Sequence, residues 1–376
     1  MKHLLLSLLA CCGLILPVHA ASPGVSPTEI LIGQSISLQA GRNDYAVAAR
    51  QGMQLYLDAI NRQGGVWGRQ LSLRTLDDNG QPAQAETHAR ALVQQGVFLL
   101  FGSVEGGPST AVAQVAADSG VPFLGPMAGS PGLRKPHQPQ VYPVRAEHLE
   151  EFRALLGWGQ RTGLKTVALL HADSPVGREH LANVARLAEA NGQRLVLALP
   201  VPSPLDDAAL RRLVAALAQA RPDMMLNHGS AESYGRLILA ARAQQLRTTF
   251  MAVNSGSSQL ARQLGADATG MVFSQVVPSP WERKTAIARE YQDAMKASLP
   301  DAPLTYGGLE GYLTAKALVQ VLRASGRDLS RDSLKRSLEA TDLDLGGVRI
   351  RYRPGDHAGS HFVDLSMVAR DGRFVH

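Results

Sequence analysis

Apolar positions along this chain repeat with two periods that take turns. Residues 29–33 open as a short apolar strand, and Ala49, Met53, Leu57 and Ile60 then recur at helical spacing across residues 47–60. Gly64-Gly65 stops that helix, because glycine enters the left-handed C-cap geometry without a Cβ clash. Leu71, Leu73 and Leu76 supply the next strand, which ends in the turn Asp77-Asp78-Asn79-Gly80. A helix opened by Pro82 carries Ala85, Ala89 and Leu92 on one face. Residues 97–101 read as a buried strand, 109–117 as a helix and 121–124 as a strand. Such a βαβαβαβ series requires a mostly parallel sheet covered on both faces.

A second series follows: a helix over 149–158, a strand over 166–171, a helix over 178–190 and a strand over 194–199. Asp206-Asp207 cap a helix running to Ala218, and then come a strand (223–227), a helix (231–244) and a strand (249–253). Two consecutive α/β series of similar length predict two similar lobes. The last third is more helical, over 281–297, 306–322 and 332–340, and closes with β-like stretches at 347–351 and 361–368.

The first twenty residues change the picture of where the protein works. Lys2-His3 form a basic start, residues 4–16 an apolar stretch, and Val18-His19-Ala20 a small-residue cleavage site, so residues 1–20 read as a signal peptide. Leu9-Ala10 before Cys11 also permits a lipoprotein reading, but that leaves an apolar stretch of only six residues and is the lesser one. The only two cysteines, Cys11 and Cys12, fall inside this segment, so the exported chain has no thiol, disulfide or cysteine metal site. About 355 residues then remain, above the size at which single cores usually split. A net charge of +6 and a pI near 9.5 are modest for this length. The basic residues are scattered, as in Arg211-Arg212 and Lys335-Arg336, which fits solvated helix faces and not nucleic acid.

Enzyme constellations are largely missing. There is no HExxH, no GxSxG elbow, no P-loop and no GxGxxG after a strand. His171, His228, His357 and His361 read as isolated, satisfied or solvent-facing side chains, with His357 and His361 at helical metal spacing but in a Gly-rich loop. What recurs instead is a small or polar loop after each strand, on the edge where open α/β sheets place ligands. In the first series these are 35–43 followed by Tyr45, then Ser103-Val104-Glu105-Gly106-Gly107-Pro108-Ser109, then Gly125-Pro126-Met127-Ala128-Gly129-Ser130. In the second they are Asp173-Ser174-Pro175-Val176-Gly177, His228-Gly229-Ser230 and Asn254-Ser255-Gly256. Gly106-Gly107 reads either as a close backbone approach to an anion at a helix start, or as a tight turn capped by Ser109. Loops converging on one edge of two lobes fit a cleft that closes on a small molecule.

One longer pattern is more specific. Asn61, Gly64-Gly65-Val66, Gly68-Arg69 and Asp78 resemble a signature of the leucine/isoleucine/valine-binding family of bacterial solute-binding proteins. The resemblance extends through Ile32-Gly33 with Gly52, Gly120-Val121-Pro122, Asp173 with Gly177, and Pro222-Asp223. It continues in Gly270-Met271, Gln275-Val276-Val277-Pro278, Leu309-Glu310-Gly311-Tyr312 and Arg370-Asp371-Gly372. It implies a type I periplasmic-binding-protein fold of class α/β: two doubly wound lobes with mostly parallel sheets joined by three crossover strands. The crossings would fall near 142–146, 275–280 and 342–347. Lobe 1 would then hold 21–145 and 278–341, and lobe 2 would hold 146–277 and 342–376.

The implied role is capture of an amino acid, amide or organic acid in the periplasm and its delivery to an inner-membrane ABC permease. The protein would act as a monomer, without cofactor, metal, catalysis or nucleic-acid partner. The other role the same cleft would serve is sensing, with the bound solute presented to a membrane receptor or kinase. By the resemblance, Tyr45 packs on the ligand and the carboxylate-binding serine falls on Gly106, flanked by Glu105 and Gly107. The next loop contributes Met127, Ala128, Gly129 and Ser130, and lobe 2 contributes Asp173, Val176 and Ser230. The glutamate that pairs with a ligand ammonium maps to Asn254, a neutral amide, which shifts the expectation toward a solute without an ammonium. Glu105 or Asp173 would replace that charge only in a different pose.

Overall fold

The computed structural model describes residues 22–202, 204–254 and 256–376. The signal segment, with Cys11 and Cys12, lies outside them, as does Ser255. The first sheet is all parallel, in the order β2-β1-β3-β4-β5. Its strands are β1 (Glu29–Ile36), β2 (Gln70–Asp77), β3 (Leu99–Phe101), β4 (Phe123–Leu124) and β5 (Val141–Tyr142). Helices α1 (Asp44–Arg62), α2 (Pro82–Gln94) and α3 (Gly106–Ser119) connect them. The expected alternation is present. β5 is a strand that the pattern did not suggest, since only three residues separate Pro139 from Pro143.

The second sheet follows α4 (His148–Arg161). It is built from β6 (Thr166–Ala172), β7 (Arg194–Val201), β8 (Met224–His228), β9 (Thr249–Ala252) and β10 (Val272–Gln275). The intervening helices are α5 (Pro175–Ala190), α6 (Asp207–Ala220), α7 (Ala231–Ala243) and the short α8 (Ser257–Leu264). Asp206 caps α6 as its sequence suggests, accepting from Ala209 N at 2.6 Å. Three helices then return to the first sheet: α9 (Ala286–Ser298), α10 (Tyr306–Ala324) and α11 (Arg331–Glu339). Ile287, Tyr291, Leu309, Leu318 and Leu338 share a buried cluster with Ile32, Met53 and Phe101. α9 begins at Ala286 and not near Trp281, whose exposed ring stacks on Phe374 instead.

The tail corrects one expectation. A crossing at 342–347 would carry everything after it to lobe 2, yet β11 (Asp342–Asp344), β12 (Arg349–Arg353) and β13 (Asp356–Gly359) form a separate small antiparallel sheet. Val348, Ile350 and Tyr352 alternate with exposed Arg349 and Arg351, and this apolar face packs in the lobe 1 cluster beside Tyr142. Tyr352 Oη donates to Pro143 O at 2.9 Å. The chain rejoins the second sheet only at β14 (Asp364–Val368), antiparallel to β10, followed by β15 (Phe374–Val375). That sheet runs β15-β14-β10-β9-β8-β6-β7.

Candidate functional site

α1 and α10 set the lobe 1 half of the site by lying unusually close. A Cβ at Gly52 would stand 1.9 Å from Gly308 O, and one at Gly311 would stand 2.0 Å from Ala49 O. Only hydrogen at these positions permits the approach. Asn43 caps α1, accepting from Ala46 N at 3.0 Å, and Thr305 caps α10, accepting from Gly308 N at 2.9 Å. Tyr45 in the first turn of α1 thus meets Glu310 in the second turn of α10, and its hydroxyl donates to the Glu310 carboxylate.

Asn254 reaches the same point from lobe 2. It stands just past β9, and its side-chain amide donates to Tyr45 Oη at 3.0 Å and to Glu310 Oε2 at 3.1 Å. Asn254 is fully buried and Glu310 is 1% exposed, so this is a dry contact between the lobes. Behind it Glu151 of α4 accepts four times: from Asn254 N at 3.0 Å, Ser274 Oγ at 2.9 Å, Arg145 Nη2 at 2.6 Å and the His148 ring, whose Nδ1 lies 2.7 Å away. Arg145 Nε also lies 4.0 Å from Glu310 Oε1.

Opposed forces fix the charges here. Burial pushes the Glu151 carboxyl up, but Arg145 and the His148 hydrogen bond outweigh it and hold it at about 2. Burial would lower Arg145, yet Glu151 and Glu310 raise it above the ordinary arginine range. For Glu310 burial wins and raises the carboxyl, with Arg145 only partly offsetting it. Burial and the neighbouring Glu310 charge likewise push the Tyr45 phenol well up. Among the described residues three atoms of this network are buried without a partner: Glu310 Oε1, Asn254 Oδ1 and Arg145 Nη1. Farther out, Arg262 of α8 donates to Asp44 at 2.6 Å and Gln259 to Gly41 O at 3.2 Å, so the lobes also touch at an exposed rim.

A family model described as periplasmic binding protein matches residues 29–373, nearly the whole described chain. The chain belongs to the periplasmic binding protein family. It is similar to the Leu/Ile/Val-binding protein BraC3 of Rhizobium johnstonii, 33% identical over 107 residues that make up 28% of this chain and 29% of that one. Over a longer span it is 24% identical to Leu/Ile/Val-binding protein homolog 8 of Brucella abortus, covering 80% of this chain and 78% of that one. Among solved structures it is similar to a possible leucine/isoleucine/valine-binding protein from Rhodopirellula baltica, with a TM-score of 0.83 at 25% identity, over 93% of this chain and 98% of that one. No helix among the described residues of this binding protein is long and apolar enough to cross a membrane.

Within this periplasmic binding protein the other expected ligand residues fall into three groups. Glu105, Gly106, Gly107 and Ser130 belong to lobe 1. Glu105 occupies positive φ (69°) as the residue before α3 and accepts from Asn43 Nδ2 at 2.7 Å. Burial and then nearby Asp78 push its carboxyl up. A Cβ at Gly106 would lie 2.5 Å from Ser130 Oγ, and one at Gly107 would lie 2.9 Å from Pro82 Cγ. The alternative of a turn capped by Ser109 is not adopted: α3 starts at Gly106, and buried Ser109 receives a hydrogen bond from Ser103 at 2.7 Å.

Met127, Ala128 and Gly129 are buried in the loop that leads from β4 towards β5, still within lobe 1. Gly129 O accepts from His148 N at 2.9 Å, and a Cβ there would stand 2.6 Å from His148 Nδ1. Gly129 therefore faces the Glu151 network. Asp173, Val176 and Ser230 form the third group, all exposed on lobe 2. Asp173 pairs loosely with Arg178 at 3.6 Å, Val176 is 42% exposed, and Ser230 caps α7 by accepting from Ser233 N at 3.1 Å. None of the three has a hydrogen bond to the Tyr45–Asn254 contact. Asp173, tied to Arg178 at the surface, is not placed to supply the charge missing at Asn254.

Sequence reasoning missed Glu310, Arg145, Glu151 and His148. Glu310 stood inside a family segment and was read only as scaffold. The glycines around it at 307, 308 and 311 were the available signal, since such spacing on a helix marks close packing against another backbone. The histidines also need correction. His228 is not isolated: its ring centroid lies 3.8 Å from that of His180 and 4.8 Å from that of His148. Burial, and then the neighbouring histidines, lower His228 well below its ordinary value and bring His180 to about 3. His148 is lowered too, chiefly by burial. His357 and His361 part company: His357 is buried, stacks on Tyr142 and lies 3.0 Å from Val141 O, while His361 is exposed.

A groove of about 600 Å³ lies between α1 and the end of α9, lined by Leu38, Val47, Leu55 and Leu299. It shares no residue with the inter-lobe network.

Proposed function

We propose that this chain captures a small amino-acid-like or carboxylate/amide solute between its lobes in the periplasm and delivers it to an inner-membrane ABC permease, without transforming it. The observation that carries the reading is the polar contact of Tyr45 and Glu310 from one lobe with Asn254 from the other, in which Glu310 and Asn254 are buried and Tyr45 is partly buried. Polar groups meeting dry between two lobes are suited to orient a solute and to exclude water from it. The names of the similar proteins, Leu/Ile/Val-binding protein, a homolog of one, and a possible leucine/isoleucine/valine-binding protein, favour an amino-acid-like solute. Transport by this chain fits a cleft that opens and closes around three crossings, because such hinges absorb closure without disturbing either core.

The test is a thermal-shift screen of about a hundred amino acids, amides and organic acids on the exported chain, with calorimetry on the hits. A solute present at ten to a hundred times its Kd is expected to stabilise the protein by roughly 1.4 to 2.7 kcal/mol. No stabilisation by any member, at millimolar concentration, contradicts solute capture. Chemical change of a hit during incubation contradicts the non-enzymatic part.

A further inference from the structure

Asn254 stands where a charged partner for a solute ammonium was expected, and as an amide it brings no charge. The structure places a carboxylate within hydrogen-bond reach of it from the opposite lobe. Glu310 Oε2 accepts both from Tyr45 Oη and from Asn254 Nδ2, the latter at 3.1 Å. Among the described residues the second oxygen, Oε1, has no partner, and neither has Asn254 Oδ1, although both are buried. Both are acceptors, so both require a donor. Glu310 and Asn254 are 1% and 0% exposed, so bulk water does not supply it.

The donor that suits them is selected by charge. An ammonium carries three donors and no acceptor, so it leaves nothing unpaired against two acceptors, whereas an amide brings a carbonyl of its own to be satisfied. Arg145 faces two carboxylates, Glu151 and Glu310, and a second buried guanidinium, Arg134, donates to Arg145 O at 2.9 Å and lies in the field of Glu151. The closer partner of Arg145 is Glu151, at 2.6 Å against 4.0 Å. Glu310 is thus the under-compensated carboxylate, and a cation beside it restores balance in a medium where unpaired charge is costly.

We propose that Glu310, supplied by α10 of lobe 1, is the specificity-determining residue that selects an ammonium on the captured solute, with Asn254 Oδ1 as a second acceptor. This rests on the solute-capture reading above. It reverses the expectation that Asn254 turns the protein toward solutes without an ammonium. It also couples recognition to closure. Lobes that close around an ammonium give both acceptors a donor, and lobes that close without one leave both stranded. Arg145 Nη1, the unpartnered donor of the same network, would favour an acceptor group on the same solute.

The experiment compares matched pairs by calorimetry on the exported chain: leucine with 4-methylpentanoate, valine with 3-methylbutanoate, and primary amines such as agmatine with neutral amides. Ammonium-bearing compounds are expected to bind, with their desamino partners at least tenfold weaker. Glu310→Gln is expected to weaken the ammonium compounds at least tenfold. The double variant Glu310→Gln/Asn254→Glu, which moves the carboxylate across the contact, is expected to recover binding to within about threefold, a rescue that a purely structural role for Glu310 would not give. If Glu310→Gln does not fold, the matched pairs on the unaltered protein still decide. Binding of acids or neutral amides with no preference for the ammonium partner overturns the inference and leaves solute capture standing. So does an ammonium-compound Kd within twofold of the unaltered protein in Glu310→Gln. Silence of every compound overturns both.

Discussion

Asn254 gives the lobe contact two side-chain hydrogen bonds and ties itself to Glu151 through its backbone N–H. Each side-chain bond is worth about 0.5–1.5 kcal/mol net. Asn254→Ala is therefore expected to raise the calorimetric Kd of a captured solute by roughly five- to a hundredfold, and an unchanged Kd would show that the contact does not belong to the site. Glu151 carries a heavier role, because its removal strands Arg145, which is 3% exposed. Glu151→Ala is expected to cost about 3–5 kcal/mol in urea unfolding, while a loss under 1 kcal/mol would mean that the pair is replaced by solvent.

At this scale the sequence pointed to Tyr45 and Asn254 by a residue-for-residue match to family positions, and the structure brings these two side chains together. The sequence was not legible at Glu310 or Glu151. Nothing in the neighbourhood of either residue along the chain tells which element from the other end of the fold will lie against it. The same holds for His148, His180 and His228, which come from α4, α5 and β8 and read separately as bland.

Among the elements, α1 and α10 decide whether the site exists at all. Their glycines hold Glu310 against Tyr45, so a methyl group between the helices acts at a distance. Gly52→Ala would drive a Cβ to 1.9 Å from Gly308 O, a backbone atom that cannot swing aside. A loss of about 1–3 kcal/mol or more is expected in chemical denaturation, together with weaker solute binding. A fully stable, fully binding variant would contradict the close packing. Strands and helices with strong periodicity, such as β1, α1, β6 and α10, were readable from the pattern. β5, β11, β13 and β15 were not, because two to four residues are too few to show a period. α8 was hidden by its eight-residue length, and β10 by its four, which end where the expected crossing begins.

The whole molecule carries a pH signature from its buried histidines. His180 titrates at about 3 in the folded protein against an ordinary value of 6.5, because burial and neighbouring His148 oppose its charge. Between those values the unfolded chain binds a proton that the folded chain refuses. Stability therefore rises with pH across that window and is lost as pH falls through it, by about 1.4 kcal/mol per pH unit for each such group. His148 and His228 are lowered as well and act in the same direction. Melting temperature is expected to drop as pH is lowered from 7 to 4, and to drop less in His180→Phe. Parallel curves for the two proteins would contradict a buried neutral histidine. The parallel two-lobe plan was legible from the alternating series, whereas the return of 342–359 to lobe 1 depends on which core its apolar face finds.

Solute capture by lobe closure is open to direct measurement of distance. The chain has no cysteine from Ser22 onward, so two introduced thiols can be labelled without background. Gln81→Cys, before α2, and Glu179→Cys, on α5, put spin labels on exposed positions of opposite lobes. Pulsed electron–electron resonance is expected to give a distance distribution that shortens and narrows when the most stabilising solute of the screen is added at saturation. A distribution identical with and without that solute would contradict closure around a solute between the lobes.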